Sequence, residues 1–584
     1  MFKMLRLIVL FCLAFTATDL MAAGSRQTIS TQRGSGISIE VQPYYNNIPQ
    51  WGFVPVRVTI GNHSERSREW TLRTQDRQWR NRRVETQGNF RFEVPAQDTR
   101  VFDILIPIGA QHISSSYSGG VVALQFSGYG VPIDHGRMNL HRLHQGHRGG
   151  AATAPFTGMS MDLHTRNWGD LTSTRSGIQG AGINPERLPG DWRGLSGFDV
   201  IWLSDNAWRL IGGIERRALL DWLASGGRLV VSYDGNDDSP ARLTGLPAET
   251  TAGDPVPHGY GHIHFHPRQG NELDHDVVAN FLLTLGSSRN QVLGQGISEG
   301  NWEMFHQVGL PSIPVVFFSI FLTAFAILIG PVNFMAFARP GQRHRLLWTT
   351  PLISLTAGAL LLLLILFQDG TGGSGMRLAV WHHLPQDNRA VLFQEQTALT
   401  GLLLSSRFAV SEPAVMNQLN LNTGRTASGR RFQLNGNHYQ GDWFLSRSTQ
   451  SQLLHAVPAT RSRIEISNTG SSAGDAPEVA STFSYDADIV FYRDDHGTLW
   501  TGGPLIPGTP LTLERCEPLD FEEWWQTQFT QASPATRTLL SAQRGRTGYF
   551  YASASGAFNG PETLTSIRWR EQHSLHLGPI ISNR

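Results

Sequence analysis

The sequence contains almost no lysine and almost no cysteine, and each scarcity excludes a class of chemistry. Lys3 is the only lysine among 48 lysine and arginine residues. Beyond it, the chain can supply neither a Schiff-base amine nor the lysine of a phosphate-binding loop. The cysteines are Cys12 and Cys516 alone. If a leader containing Cys12 is removed, no intrachain disulfide, zinc-thiolate cluster or Cys-X-X-Cys redox motif can form.

The remaining composition is that of folded domains close to charge neutrality. The 584 residues carry a formal net charge of +1, and 40% of them are hydrophobic. At about 150 residues per domain, this length predicts three or four globular units. A balanced charge gives no electrostatic reason to expect nucleic acid as a partner.

The first 23 residues have the form of a secretory signal. Lys3 and Arg6 precede an apolar run, and the small residues Ala22 and Ala23 follow it. We therefore interpret residues 1–23 as a signal peptide that is cleaved near its end, with an uncleaved anchor as the alternative.

Two later segments are free of charge over lengths that can cross a bilayer. Residues 313–338 and 346–367 contain no Asp, Glu, Lys or Arg, and about 20 apolar residues are enough to span the hydrocarbon core. We predict transmembrane helices at 311–338 and 346–367. A buried hairpin in a soluble protein is the alternative, but residues 360–364 are all leucine and leave no polar face.

The connection between these segments sets the expected topology. It contains Arg339, Arg343 and Arg345, so the positive-inside rule places a short turn, 339–345, in the cytoplasm. Both large flanking regions then lie outside, in agreement with the leader. The expected location is therefore the bacterial inner membrane, with periplasmic domains and the lipid bilayer as one partner.

Alternating apolar residues predict a β-rich region at each end of the chain. In residues 24–138, Val54, Val56 and Val58 alternate with polar neighbours, and the pattern favours an immunoglobulin-like β-sandwich. Residues 375–584 contain short apolar runs separated by turns, which favour a second, C-terminal β-sandwich.

The segment between the first sandwich and the membrane changes period. Residues 198–203 form a buried strand pattern, 214–223 a helical pattern, and 228–232 a second strand pattern. Strand-helix-strand units imply a parallel sheet with right-handed crossovers, so residues 156–300 are predicted to form a small α/β domain. The whole chain is then a multidomain α+β membrane protein.

The same segment carries a family resemblance. The sequences at 188–192 (LPGDW), 198–205 (FDVIWLSD) and 217–231 (RALLDWLASGGRLVV) resemble bacterial membrane proteins with a class I glutamine-amidotransferase-like domain. Gly330-Pro331-Val332-Asn333 looks like the Gly-Pro-Val-Asn motif of those proteins. The resemblance implies a flavodoxin-like domain between β-sandwiches and implies no established activity.

The resemblance does not include the nucleophile that the amidotransferase reaction requires. That activity needs a cysteine nucleophile on a strand-to-helix elbow, with a histidine and an acid nearby. No cysteine lies between Cys12 and Cys516. We therefore interpret the domain as a non-catalytic relative of the enzyme fold, since fold alone does not fix function.

Acidic residues follow two predicted neighbouring strands and form one candidate metal site. Asp205 follows the first strand, and Asp234, Asp237 and Asp238 follow the next. Ligands of open α/β sheets bind beyond the carboxyl ends of the strands, and grouped carboxylates can hold a hard cation. The alternative is that these residues end strands and cap helices.

A histidine repeat forms a second candidate metal site. His262, His264 and His266 alternate with Ile263 and Phe265, so on a strand their imidazoles share one face. A metal ion is one interpretation. A solvated strand face is the other, because three ligands in line on one strand rarely converge on one ion.

Sixteen tryptophans raise the possibility of sugar-binding platforms in an exported protein. We expect most to be core residues and Trp524-Trp525, beside Glu522-Glu523, to be exposed. No cofactor motif is present. The patterns favour a non-enzymatic, membrane-anchored scaffold or binding protein for envelope proteins or cell-wall material. The alternatives are a metal-dependent or carboxylate hydrolase near Asp205 and Asp234, and a small-ligand sensor.

Overall fold

The computed structural model describes residues 24–49, 51–77, 85–108, 121–141, 155–174, 178–234, 255–268, 272–285, 302–309, 315–337, 346–419, 430–468, 476–556 and 558–582. The proposed signal peptide, the turn 339–345 and the candidates Asp237 and Asp238 lie outside these residues. The described parts of the chain contain five β-sheets and two long apolar helices.

The N-terminal region is a two-layered β-structure, as predicted. Its strands are β1 (Gln27–Ile29), β2 (Ile37–Pro43), β3 (Gly52–Asn62), β4 (Arg68–Arg77), β5 (Glu85–Val94), β6 (Asp98–Ile108), β7 (Val121–Gly128) and β8 (Arg137–His141). One sheet has the order β1-β2-β3-β6, and β5-β4-β7-β8 belong to another. Alternation along β3 and β4 buries Val56, Val58, Trp70 and Leu72 in one core between the layers.

The next region is a β-sheet with α-helices packed on it. This confirms the predicted change from a strand pattern alone to alternating strand and helix patterns. Its strands are β9 (Phe156–Ser160), β10 (Gln179–Ile183), β11 (Val200–Ser204), β12 (Arg228–Asp234), β13 (Val256–His258) and β14 (Gly261–Arg268), and its helices are α1 (Met161–Thr174), α2 (Asp205–Leu210), α3 (Gly213–Ala224) and α4 (His275–Leu285). The sheet order is β10-β9-β11-β12-β14-β13. All neighbours are parallel except β13 and β14.

Helix α3 shows why the sequence folds in this way. Its apolar side chains recur at helical spacing, so Leu219, Trp222 and Leu223 are buried against the sheet. The helix ends before Gly226, whose φ of 107° is accessible to glycine at little cost. The chain then enters β12.

Two apolar helices follow the short helix α5 (Glu303–Val308). The first comprises α6 (Val315–Ile327), a π-helical turn (Leu328–Val332) and α7 (Asn333–Phe337), and the second is α8 (Leu346–Asp369). Val315–Ala336 and Leu346–Leu364 are long and apolar enough to cross a membrane, and neither packs inside the protein. Pro331 lies in the π-helical turn, where the missing N–H is accommodated by the wider hydrogen-bond pattern.

Asn333 joins the two apolar helices. Its Nδ2 donates to Thr350 Oγ1 at 3.0 Å, and Thr349 Oγ1 donates to its Oδ1 at 2.8 Å. The Gly-Pro-Val-Asn sequence thus supplies a break in the helix and a polar contact with the neighbouring helix. Small and polar side chains commonly make such contacts between membrane helices.

The C-terminal region contains the largest sheet. Its strands are β15 (Gly373–Leu384), β16 (Arg389–Thr400), β17 (Phe408–Ala409), β18 (Ala414–Gln418), β19 (Arg431–Asn435), β20 (His438–Gly441), β21 (Thr449–Ala456), β22 (Ile464–Asn468), β23 (Glu478–Ser481), β24 (Ile489–Arg493), β25 (Leu499–Gly502), β26 (Leu511–Thr512), β27 (Glu514–Arg515), β28 (Tyr549–Ser555), β29 (Ile567–Pro579) and β30 (Ile581–Ser582), and its helices are α9 (Pro518–Gln531) and α10 (Pro534–Ser541). The nine-stranded sheet has the order β18-β21-β16-β15-β29-β28-β24-β25-β27, and a four-stranded sheet has the order β26-β23-β22-β30.

Three C-terminal strands leave this region and complete the N-terminal sheet. The resulting seven-stranded sheet has the order β17-β20-β19-β5-β4-β7-β8. Strand β19 runs parallel to β5, with Arg431 opposite Glu85. The sandwich predicted for residues 24–138 therefore includes strands from more than 300 residues later, as shown by the separation of 346 between Arg431 and Glu85.

The α/β region also packs against the C-terminal region. One hydrophobic core includes Trp222 of α3 and Leu392 of β16. Arg389 lies 3.6 Å from Asp221, and Gln543 Nε2 donates to Gly259 O at 3.3 Å. The two regions therefore share a core and polar contacts.

Candidate functional site

Asp205, at the carboxyl edge of the parallel sheet, forms an ion pair with Arg268. Its Oδ1 accepts a hydrogen bond from Arg268 Nη2 at 2.6 Å, and both side chains are less than a tenth exposed. Ser204, just before it, uses its hydroxyl to accept from Ala207 N at 3.0 Å and caps α2. The cap is therefore Ser204 and not Asp205, whose carboxylate faces a guanidinium.

The other acidic candidates do not assemble into a metal site in the part of the chain that the structure describes. Asp234 is exposed and lies opposite Arg268 in the β12–β14 register. Within the described ranges, no group of three His, Cys, Asp or Glu side chains could hold a metal ion. The geometry gives no support to a cation between Asp205 and Asp234.

The three candidate histidines share one face of β14, and all three are half-buried. The His264 ring lies 5.2 Å from Phe281 of α4, and the His266 ring lies 5.4 Å from Trp202. Burial, together with His262 and Arg228, lowers the pKa of His264 to about 4. The repeat is thus a half-buried packing surface between β14 and α4, where burial disfavours the charged imidazoles.

The tryptophans are mostly core residues, as expected, and the pair expected to be exposed is packed. Trp525 is buried, and Trp524 contacts Phe491 with ring centroids 4.9 Å apart. Phe521 and Trp525 are one helical turn apart on α9, so they face the sheet together. This corrects the interpretation of Trp524-Trp525 as an exposed pair.

A large recess lies elsewhere, on the outer face of the seven-stranded sheet. It is a cleft of about 1360 Å³, lined by residues of all seven strands and by Arg407. We call it the amide-arginine cleft. Its polar lining consists chiefly of Arg73, Gln75, Gln87, Asn89, Gln125, Arg137, Asn139, Arg407, Gln433, Asn435, His438 and Gln440.

Strand register arranges these side chains in two straight rows. The longer row crosses six strands through directly paired residues, in the order Asn139, Ala123, Gln75, Gln87, Gln433 and Gln440. The shorter row crosses four strands, in the order Arg137, Gln125, Arg73 and Asn89. Strands lie about 4.8 Å apart, so the longer row extends over roughly 24 Å.

The floor of the cleft is held by the aromatic and aliphatic side chains that alternate with the polar ones. Under β17 and β20, the rings of Phe408 and Tyr439 stack with centroids 5.2 Å apart. Tyr439 Oη donates to Ala414 O at 3.0 Å. Under β19, Phe432 packs against Trp443 at 4.8 Å. Such a packed layer holds the backbone rigid, so the outward side chains start from fixed positions.

The lining has a definite chemical character. No Asp or Glu lines the cleft among the residues that the structure describes, whereas Arg73, Arg137 and Arg407 do. Within the same residues, no ion pair joins any of these arginines to a carboxylate. Amide groups both donate and accept hydrogen bonds, and guanidinium groups bind carboxylate or phosphate in a bidentate manner.

These residues were not identified from the sequence. A signal is present, because Arg, Gln and Asn alternate with buried residues at 73–75, 87–89, 137–139 and 433–435. Each run alone reads as the solvated face of an ordinary strand. Only the pairing of β5 with β19 brings the runs together.

Comparisons with known proteins identify no family. No family model matches the chain, and no curated protein matches it. Among solved structures, Bacteroides uniformis β-glucuronidase 2, covalently bound to cyclophellitol-6-carboxylate aziridine, aligns at 8% identity over 38% of this chain and 30% of that one, with a TM-score of 0.15. A β-glucuronidase from glycoside hydrolase family 2 aligns at 8% identity over 82% and 62%, with a TM-score of 0.17. The chain covers less than two thirds of either structure, and similarity at these scores carries no argument about fold or activity.

Proposed function

We propose that this protein is a membrane-anchored binding protein that holds an anionic, hydroxyl-rich polymer in the amide-arginine cleft. The observation that carries the proposal is the pair of side-chain rows, one with five amides and one with two arginines, in a cleft whose described lining contains no carboxylate. Amides match hydroxyl groups, which also donate and accept, while the arginines match carboxylates or phosphates. A row of about 24 Å suits several units of a linear glycan better than a single small molecule.

The anchor is the pair of apolar helices. We infer that α6–α7 and α8 cross the inner membrane with the 339–345 turn in the cytoplasm, which leaves both large regions outside. An alkaline-phosphatase fusion after Ser374 is then active, and one at Gly341 is inactive. The opposite pattern would reverse the topology and place the cleft in the cytoplasm, away from envelope glycans.

In this proposal the α/β region has a structural role and no catalytic one. Numbered along the region, its five parallel strands have the order 2-1-3-4-5, which is the flavodoxin-like order and supports the resemblance to glutamine-amidotransferase-like domains. We also infer that the N-terminal layers form an immunoglobulin-like β-sandwich. With Asp205 paired to Arg268 and no cysteine at the strand edge, the purified protein releases no ammonia from glutamine.

Binding is tested with full-length protein in lipid nanodiscs by isothermal titration calorimetry. The probes are polygalacturonate oligomers, which carry carboxylates and hydroxyls, neutral maltodextrin of matched length, and polyphosphate. We expect binding of polygalacturonate and much weaker binding of maltodextrin. Arg73→Ala combined with Arg137→Ala removes two bidentate partners and lowers the affinity at least tenfold, since charge-assisted hydrogen bonds contribute about 1.5–3 kcal/mol each.

A matched control separates the cleft from general charge. Arg91→Ala removes one positive charge from the same face of the seven-stranded sheet, where the double variant removes two, but Arg91 pairs with Glu69 at 2.7 Å and does not line the cleft. This variant should keep the affinity of the parent protein. Equal losses for Arg91→Ala and the Arg73/Arg137 variant, or equal binding of polyphosphate and polygalacturonate, would show attraction to charge alone and would refute recognition of a glycan.

A further inference from the structure

The chain returns to the end of the second apolar helix after making one hairpin. Strand β15 leaves α8, and β16 pairs with it antiparallel, with Gly373 opposite Thr400. The pairing continues toward the helix, because Gly401 N donates to Gly372 O at 2.7 Å and Leu402 N donates to Gly370 O at 3.0 Å. Leu402 O in turn accepts from Gly372 N at 3.0 Å, so Leu402 lies beside Thr371, two residues after the end of α8.

The first apolar helix is tied to the same end of the sheet. Gly309 precedes that helix, and its carbonyl oxygen accepts from Thr449 Oγ1, at the start of β21, at 2.7 Å. Thr400 N donates to Ser448 O at 3.1 Å, so the ends of β16 and β21 adjoin. The carboxyl end of β16 is thus the end of the body from which both apolar helices extend.

At this end one leucine side chain is highly exposed. Leu403 packs against the main core, and its N–H donates to Ser446 Oγ at 2.9 Å. Leu404, the next residue, is 87% exposed, the highest exposure of any large hydrophobic side chain in the described residues. Leu403 is therefore held by the protein, whereas the side chain of Leu404, the next residue, extends into solvent.

We propose that the segment 401–407, the Leu404 loop, inserts Leu404 into the interfacial layer of the bilayer and fixes the body against the membrane surface. The inference rests on the proposed anchoring of α6–α8. An apolar side chain at the headgroup boundary loses water contact and gains contact with acyl chains. Helix α8 ends at Asp369, five residues beyond the apolar span, and Leu402 is hydrogen-bonded to Gly370, so the loop begins close to the end of α8 nearest the membrane surface.

This contact also sets the position of the amide-arginine cleft. Arg407 and Phe408 line one end of the cleft, and Phe408 follows Leu404 by four residues, which span at most about 14 Å. With Leu404 in the interface, the β17 end of the cleft opens beside the lipid headgroups. A polymer bound in the cleft then lies close to the membrane surface.

The experiment uses the full-length protein in nanodiscs, with one NBD label on a Cys12→Ser/Cys516→Ser background. The label is placed by Leu404→Cys, by Leu363→Cys in α8, or by Ile133→Cys. Ile133 is 79% exposed and follows β7, at the sheet edge opposite β17. Nanodiscs contain lipids with a nitroxide quencher either near the headgroup or deep in the acyl chain.

We expect the headgroup-level quencher to reduce emission from position 404, the deep quencher to reduce emission from 363, and neither to affect 133. If 363 is quenched but 404 behaves like 133, the loop does not touch lipid, although the anchoring stands. If 404 shows a blue-shifted emission that lipid quenchers leave unchanged, a protein covers the loop and the proposal is wrong. If 363 is not quenched, the anchoring itself fails.

Discussion

Gln433 Nε2 donates a hydrogen bond to Gln87 Oε1 at 2.9 Å, although 346 residues separate the two in the chain. They lie opposite each other on β19 and β5, where the N-terminal and C-terminal halves of the seven-stranded sheet meet. The contact stands in the middle of the longer amide row. The candidate site is therefore a joint product of both ends of the chain and exists only when they are assembled.

The junction should be sensitive to the core beneath it. Phe432→Ala removes a fully buried ring from β19 and should lower the free energy of unfolding by about 3–5 kcal/mol. Gln433→Ala, one residue away, should weaken polygalacturonate binding with little loss of stability. Urea denaturation followed by circular dichroism measures the first effect, and calorimetry measures the second. Equal loss of stability in both variants would contradict the separation of roles.

The buried pair at the sheet edge should behave as a structural element. Asp205→Ala leaves Arg268 buried without this carboxylate and should destabilise the protein by about 3–5 kcal/mol. The double variant Asp205→Leu/Arg268→Met should recover much of that loss, because it removes both charges. Added Ca²⁺ or Mg²⁺ should leave the urea midpoint of the parent protein unchanged. A rise that depends on Asp205 would revive the metal interpretation.

Asp221 should make stability depend on pH. Burial raises the pKa of this carboxyl from 3.8 to about 6, against the opposing effect of Arg389. The folded state then binds the proton more tightly than the unfolded state, so stability falls as the pH rises from about 4 to about 6. Asp221→Asn removes this fall, and the variant should gain about 1–3 kcal/mol relative to the parent above pH 6.

The test is urea denaturation of both proteins between pH 4 and pH 7. The difference between variant and parent should grow with pH and level off above about pH 6. Arg389→Met should enlarge the fall in the otherwise unchanged protein, because it removes the positive charge nearest to Asp221. A difference that stays constant across this range would mean that Asp221 does not titrate there.

The polar contact between the apolar helices should stabilise their hairpin. Asn333→Ala removes the hydrogen bonds to Thr349 and Thr350 and should weaken helix association by about 0.6–1.7 kcal/mol. Thr323→Val is the matched control, because the Thr323 hydroxyl donates to Ser319 O in its own helix at 2.8 Å. Steric trapping in bicelles measures both. If Asn333→Ala and Thr323→Val weaken association equally, the hydrogen bonds of Asn333 do not stabilise the pairing of the two helices.

The parts of the fold that depend on local periodicity could be predicted from the sequence. The β11, α3 and β12 patterns and the two apolar helices were recognised because their side chains repeat within a few turns or strands. Trp524-Trp525 was misjudged because two glutamates precede it. The helical period of Phe521 and Trp525 carried the better signal.

The candidate site could not be predicted in the same way. Gln87 and Gln433 each occupy an outward position in a strand with a solvated face, and nothing local distinguishes them from other amides. Their proximity depends on the pairing of β5 with β19, which is a contact between distant parts of the chain. Similarly, the sequence placed Asp205 at the sheet edge, but Arg268, its partner, lies 63 residues later.

The pairing of β5 with β19 also fixes an order of events during synthesis. At about 5–20 residues per second, roughly 17 to 70 s pass between the emergence of Gln87 and that of Gln433. Both apolar helices are synthesised during this interval. Until β19 is available, the edge of β5 that later pairs with β19 has unpaired N–H and C=O groups. An open edge of this kind is a template for pairing with another chain. Newly made protein is therefore most prone to aggregation between the synthesis of β5 and that of β19, and a ribosome that stalls in this interval leaves the edge open.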